Sequence, residues 1–273
     1  MVVVSLVEEF ISLCLGQDRW NDYEHLYPEL FDHYFRYWCP KRWVGLSINA
    51  DEIRLRARRV TEAIGLIESA VDHCHLDTEK LKIVLFVGGN TSNGHAFLDG
   101  DKWVVWIPVE TYSTDQLARI FITHEIIHGL HYSLTPAFYF NDEFSKEHLG
   151  RQIITEGVAT FLTAQVVGVS DREALWADYL NQRDYDRWLA DCQRRAPELG
   201  EMCRSRFSQS APELSIFKII DPADILKFRA GYYLGLVLVG SVAENERLAP
   251  LDLLTLERCE FERLVLRELE NWK

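Results

Sequence analysis

The sequence predicts an α+β fold in which a mixed α/β part comes first and helices follow. Three observations carry this reading. Apolar residues recur at helical spacing through most of the chain. A short β-branched run and an Asp-Gly hairpin interrupt them between residues 82 and 109. From Ser113 onward the helical period returns almost without break. The 273 residues suffice for one large domain or two lobes, and 48% apolar with 26% charged residues is a globular composition, which excludes wholesale disorder.

Taken in order, residues 1–48 read as a helical N-terminal extension carrying nine aromatic residues between Trp20 and Trp43. Helical aromatics are usually core, so packing on the body is favoured over a partner-binding stripe. A second helix, capped by Asp51, runs to about Val71 with Ile53, Val60, Ile64 and Ile67 on its apolar side. Lys82–Val87 is a buried strand ending at Gly88-Gly89. Gly94–Leu98 and Trp103–Val109 flank Asp99-Gly100 and form a hairpin. Gly88-Gly89-Asn90 lacks the G-x-x-x-x-G-K-[ST] pattern of a phosphate loop and reads as an ordinary turn. Ser113 or Thr114 caps a helix that reaches about Tyr132. A loop with Pro136 and Asn141-Asp142 leads to a helix from Lys146 to Val167. A charged amphipathic stretch, Arg172–Arg195, precedes a loop-rich one, Ala196–Pro212, and the helices Pro222–Ala243 and Pro250–Trp272 complete the chain. The expected organisation is therefore 1–48 extension, 49–132 α/β lobe and 133–273 helical lobe.

A net charge of −13 argues against nucleic acid, whose phosphates need a basic surface, and leaves a mild bias toward basic substrates. The six cysteines (14, 39, 74, 192, 203, 259) include no C-x-x-C pair and suit buried thiols in a reducing compartment. Met1–Val7 is mostly apolar, but Glu8 and Glu9 interrupt it and neither a basic stretch nor a cleavage site accompanies it, so no signal peptide is expected. The sequon Asn90-Thr91-Ser92 then carries no weight, and no segment has the length of a membrane span. The expected location is cytoplasmic.

The chemistry centres on His124-Glu125-Ile126-Ile127-His128. On a helix, residues i and i+4 stand one above the other, so both imidazoles can reach one point, as two ligands of a tetrahedral zinc ion must. Glu125, turned by about 100° from His124, can lie beside the metal and take a proton from its water without being a ligand. Leu117, Ile120, Phe121, Ile126, Ile127 and Leu130 predict a buried helix, in which such polar groups need partners. A chance H-E-x-x-H is expected in only about a few per hundred chains of this composition. The extended pattern H-E-x-x-H-x-x-G-x-x-H fails, because position 131 is His and position 134 is Leu, and His131 lies off the ligand face. Glu156 is the third-ligand candidate. It sits in the apolar segment Ile154–Phe161, 28 positions after His128, far enough for a loop and a returning helix.

H-E-x-x-H followed by a glutamate on the next helix resembles the gluzincin metallopeptidases. The order of edge strand, tight turn, strand and zinc helix is similar too. Glu156-Gly157-Val158-Ala159 and Gly231-Tyr232-Tyr233-Leu234-Gly235 further resemble a bacterial group of predicted Zn-dependent proteases, over roughly residues 50–270. The resemblance implies a zincin-like fold with an active-site cleft between the lobes, one zinc ion per chain on His124, His128 and Glu156, and a peptide laid along the edge strand 94–98 by strand addition. The thermolysin-type E-N-x-x-S-D pattern is absent, which leaves Thr160 or Asp142 as partners behind the ligands.

The expected activity is peptide-bond hydrolysis by a zinc-bound water from which Glu125 takes the proton. Arg229 and Tyr232, three apart on one helical face, are candidate donors to the oxyanion, with Tyr233 in reserve. Two alternatives share the metal: a hydrolase of a non-peptide amide, and a catalytically silent regulatory module. His73-Cys74-His75 reads as a helix end, since i and i+2 do not face one another.

Overall fold

The structure, a computed structural model, describes residues 1–16, 20–39 and 49–272. It is α+β, with thirteen α-helices and one open, mixed four-stranded sheet among the described residues. Residues Met1–Ser133 form one compact unit, and the chain from Leu134 on forms a second.

The first unit is built on the sheet. Its elements are β1 (Val2–Ser5), α1 (Val7–Gly16), α2 (Trp20–Glu24), α3 (Pro28–Tyr37), α4 (Ala50–His73), β2 (Leu81–Phe86), β3 (His95–Asp99), β4 (Lys102–Pro108) and α5 (Asp115–Leu134). The strand order is β1-β2-β4-β3, parallel across β1, β2 and β4, with β3 antiparallel to β4 through the turn at Gly100. The expected hairpin is present. The run Val2–Val4 forms a strand rather than a helix, because three β-branched residues suit a place beside β2 better than a helical turn.

β2 and β4 are almost wholly buried, since helices cover both faces of the sheet. On one face α3 sets Tyr34 edge-on to Phe86 and Trp106, at 5.2 Å from each ring. Tyr23, Tyr27, Phe31 and Tyr34 are core, while Trp43 lies outside the described residues. On the other face α5 packs so closely that a Cβ on Gly129 would lie 2.6 Å from Val105 Cγ2. Asn49, not Asp51, caps α4, accepting the Glu52 amide at 2.7 Å. Thr114 caps α5, accepting the Leu117 amide at 3.1 Å.

The second unit is helical: α6 (Glu143–Lys146), α7 (Leu149–Val167), α8 (Asp171–Trp176), α9 (Gln182–Arg194), α10 (Ala196–Arg206), α11 (Ala230–Glu246), α12 (Pro250–Thr255) and α13 (Arg258–Asn271). Its centre is the α7–α11 crossing, where Gly157 and Gly235 bring two backbones together: a Cβ on Gly157 would lie 2.5 Å from the Gly235 carbonyl oxygen. Three expectations need correction. Ala196–Arg206 is a helix, because Pro197 falls in its first turn, where no amide is missed, and Leu199 and Cys203 bury one face. The helix expected from Pro222 starts only at Ala230, after Arg229 in the left-handed region at φ 58°. The last helix is two, broken between Thr255 and Arg258. No described helix is long and apolar enough to cross a membrane.

Candidate metal centre

α5 is buried at every residue from Ile120 to Tyr132, and this takes His124, Glu125 and His128 out of water. The two imidazoles converge as their spacing predicts. His124 Nε2 and His128 Nε2 stand 3.1 Å apart, with rings nearly perpendicular. Glu156, on α7, completes the group. One ligand atom each from His124, His128 and Glu156 lie within 4.8 Å of one another, so these three residues could hold a metal ion. Among the described residues this is the one such group of His, Cys, Asp or Glu side chains, and neither His131 nor His73-Cys74-His75 supplies another. His73 ends α4, its Nδ1 2.6 Å from the Ser69 carbonyl oxygen, and His131 is fully buried beside Tyr132.

On the sheet side, Gly94 approaches Glu125 closely. Gly94, immediately before β3, has φ +153°, and a Cβ there would lie 2.8 Å from Glu125 Cγ and 2.9 Å from the Trp106 carbonyl oxygen. Only glycine fits where the strand meets the glutamate. β3 therefore begins directly beside Glu125, and its outer side pairs with no strand among the described residues.

An aromatic wall flanks His128 that the sequence did not disclose. Tyr132 stacks on the His128 ring at 5.7 Å. His95, the first residue of β3, lies 6.2 Å from that ring and 4.6 Å from Trp38. His33 stacks on His95 at 5.9 Å and accepts the Trp106 Nε1 hydrogen at 3.3 Å. His33 and His95 precede the motif by many residues, and it is the packing of α3 and the pairing of β3 with β4 that bring them near it. The one local signal was a helical residue four past His128, Tyr132.

Of the two residues expected behind the ligands, Asp142 is spent elsewhere: its carboxylate accepts the Ser145 amide at 2.7 Å as the cap of α6, which also holds it below the usual carboxylate range. Thr160 is buried on α7, one turn beyond Glu156. His148 caps α7, its Nδ1 accepting the Arg151 amide at 3.2 Å.

The downstream candidates separate. Arg229 is buried, and its guanidinium lies 4.1 Å over the Tyr232 ring and 5.0 Å over Trp176. Tyr233 turns toward Trp188 and Trp272, at 6.1 and 6.3 Å, and does not share the Arg229 stack. Glu156 immediately precedes the Gly157–Gly235 contact, and Tyr232 lies one turn before it on α11.

Comparison with protein-family models, with curated proteins and with solved structures finds no match.

Proposed function

We propose that this chain is a zinc-dependent peptidase of the gluzincin type. One observation carries the reading: three ligand side chains converge while Glu125, one residue along from the first, stands against the start of an edge strand. The donor set fits zinc. Two nitrogens bound to one tetrahedral zinc at 2.0–2.1 Å stand about 3.3 Å apart, and His124 and His128 Nε2 are 3.1 Å apart. Two imidazoles and a carboxylate are a catalytic zinc set that leaves a fourth position open, and a structural site would be closed. When bound, the metal would polarise a carbonyl oxygen and make water acidic enough to lose a proton near neutral pH.

The chain's own residues do the rest. An extended peptide adds to the outer side of β3, its backbone pairing with the strand, which sets the scissile bond beside Glu125. Glu125 accepts the proton of the attacking water and returns it to the leaving nitrogen. Tyr232, backed by the Arg229 charge over its ring, donates to the oxyanion. We place the protein in the cytoplasm, on six scattered cysteines that include no C-x-x-C pair.

Elemental analysis and a peptide-library digest test this. The reconstituted protein should carry about one zinc per chain and cleave peptides. His128→Ala should lose tight metal binding, and Glu125→Gln should keep zinc and lose hydrolysis. A protein that holds no metal after reconstitution, or a Glu125→Gln variant as fast as wild type, overturns the proposal.

A further inference from the structure

Gly94 passes so close to Glu125 that a Cβ would not fit between them, and that approach depends on the loop that delivers it. Between β2 and β3 four successive amides are taken by buried side chains of the first unit. Val87 N–H donates to the Tyr23 hydroxyl at 2.9 Å and Gly89 N–H to the Tyr34 hydroxyl at 2.7 Å. Gly88 and Asn90 N–H donate to the two oxygens of one carboxylate, Glu110, at 3.0 Å each. Toward the far end, the Tyr112 hydroxyl donates to the Asn93 carbonyl, and Ser92 Oγ to the Gly94 carbonyl at 3.0 Å. Glu110 thus takes alternate amides of the row, and the two tyrosine hydroxyls take the others.

Glu110 sits in the turn after β4, the strand on which β3 is paired, and is 1% exposed. Burial pushes its carboxyl up, against the pull of the Gly88 and Asn90 amides and the Arg56 charge. What the carboxylate supplies is two acceptors at a fixed spacing.

We propose that Glu110 is a positioning residue for Glu125. By holding Gly88 and Asn90 it fixes the loop, the loop fixes Gly94, and Gly94 closes off the space into which the Glu125 side chain would otherwise swing. This rests on the reading of Glu125 as the base. Loosening the loop leaves the zinc ligands, which lie on α5 and α7, untouched, and lowers the share of time that Glu125 spends in its working place.

The test uses the zinc-loaded full chain with Glu110→Gln, which keeps the shape and loses one acceptor. We expect wild-type zinc content and KM, a kcat lower by about 10- to 100-fold, and a crystal structure in which the Gly94–Glu125 contact has opened. Should Glu110→Gln fail to fold, Tyr112→Phe cuts the tether at Asn93 and carries the same expectations. Wild-type kcat, or a Gly94–Glu125 contact unchanged in the crystal, overturns the inference. So does a raised KM at unchanged kcat, which would make the loop a substrate contact. A wild-type chain that cleaves no peptide sinks the peptidase reading alone, because the crystal structures still report whether Glu110 sets the place of Glu125.

Discussion

At the scale of single residues, Tyr232 is the proposed donor to the oxyanion. In that role its hydroxyl should matter in the transition state and not in the ground state. Tyr232→Phe should then lower kcat by about 10²–10³ with little change in KM. The cation stacked on its ring makes the hydroxyl a better donor, and Tyr233, packed against Trp188 and Trp272, offers no substitute. Steady-state kinetics beside zinc content and melting temperature decide it. A variant with full activity leaves Tyr232 as a packing partner of Arg229 and Phe217. The grouping of His124, His128 and Glu156 was legible in the sequence because its geometry is local or compositional. His124 and His128 are set by helical pitch, and Glu156 is a carboxylate in an apolar helical run. Glu110 and His95 were not, since neither shares a helix with Glu125 or His128, and only the sheet brings their surroundings to that helix.

For the elements, closeness of backbone is the controlling variable. The α7–α11 crossing places Glu156 and Tyr232 on either side of two glycines that touch. An alanine at Gly157 improves helix propensity by about 1 kcal/mol, but its methyl would lie 2.5 Å from a backbone oxygen that cannot rotate away. Overpacking costs about 1–3 kcal/mol, so packing should win and Gly157→Ala should melt lower. Gly65 supplies the contrast: it is exposed in the middle of α4, and a Cβ there meets nothing within 4 Å. Gly65→Ala should stabilise by about 0.5–1 kcal/mol. Equal shifts of the same sign in the two thermal melts would show that propensity, not contact, governs the crossing. Element boundaries were misread where a break leaves no periodic trace. The left-handed Arg229 stops α11 from starting at Pro222, and within the stretch Ala196–Pro212, expected to be loop-rich, Pro197 opens α10. β1 was missed because a four-residue run is too short to show a period, although its three valines favour a strand.

Across the whole molecule, metal binding and folding should be linked. His124 and His128 lie on α5 and Glu156 on α7, 28 positions on from His128, so the three meet only in the folded chain and the unfolded chain has no comparable site. A ligand that binds only the native state stabilises it by RT ln(1 + [L]/Kd), about 4 kcal/mol when the free metal is a thousand times Kd. Zinc should therefore raise the melting temperature of the stripped protein by several degrees, and a chelator should reverse the gain. The charge of −13 complicates this, because any divalent cation relieves some self-repulsion. That contribution is unspecific, so magnesium at the same concentration measures it and should give only a small rise. The variants separate what remains. His128→Ala and Glu156→Ala should lose the zinc-specific shift, whereas Glu125→Gln, which removes no ligand, should keep it in full. A zinc shift that survives in both ligand variants would mean that the ion binds elsewhere on the acidic surface. Loss of the shift in Glu125→Gln would make that residue a ligand, and the assignment of Glu125 as the base would fail with it.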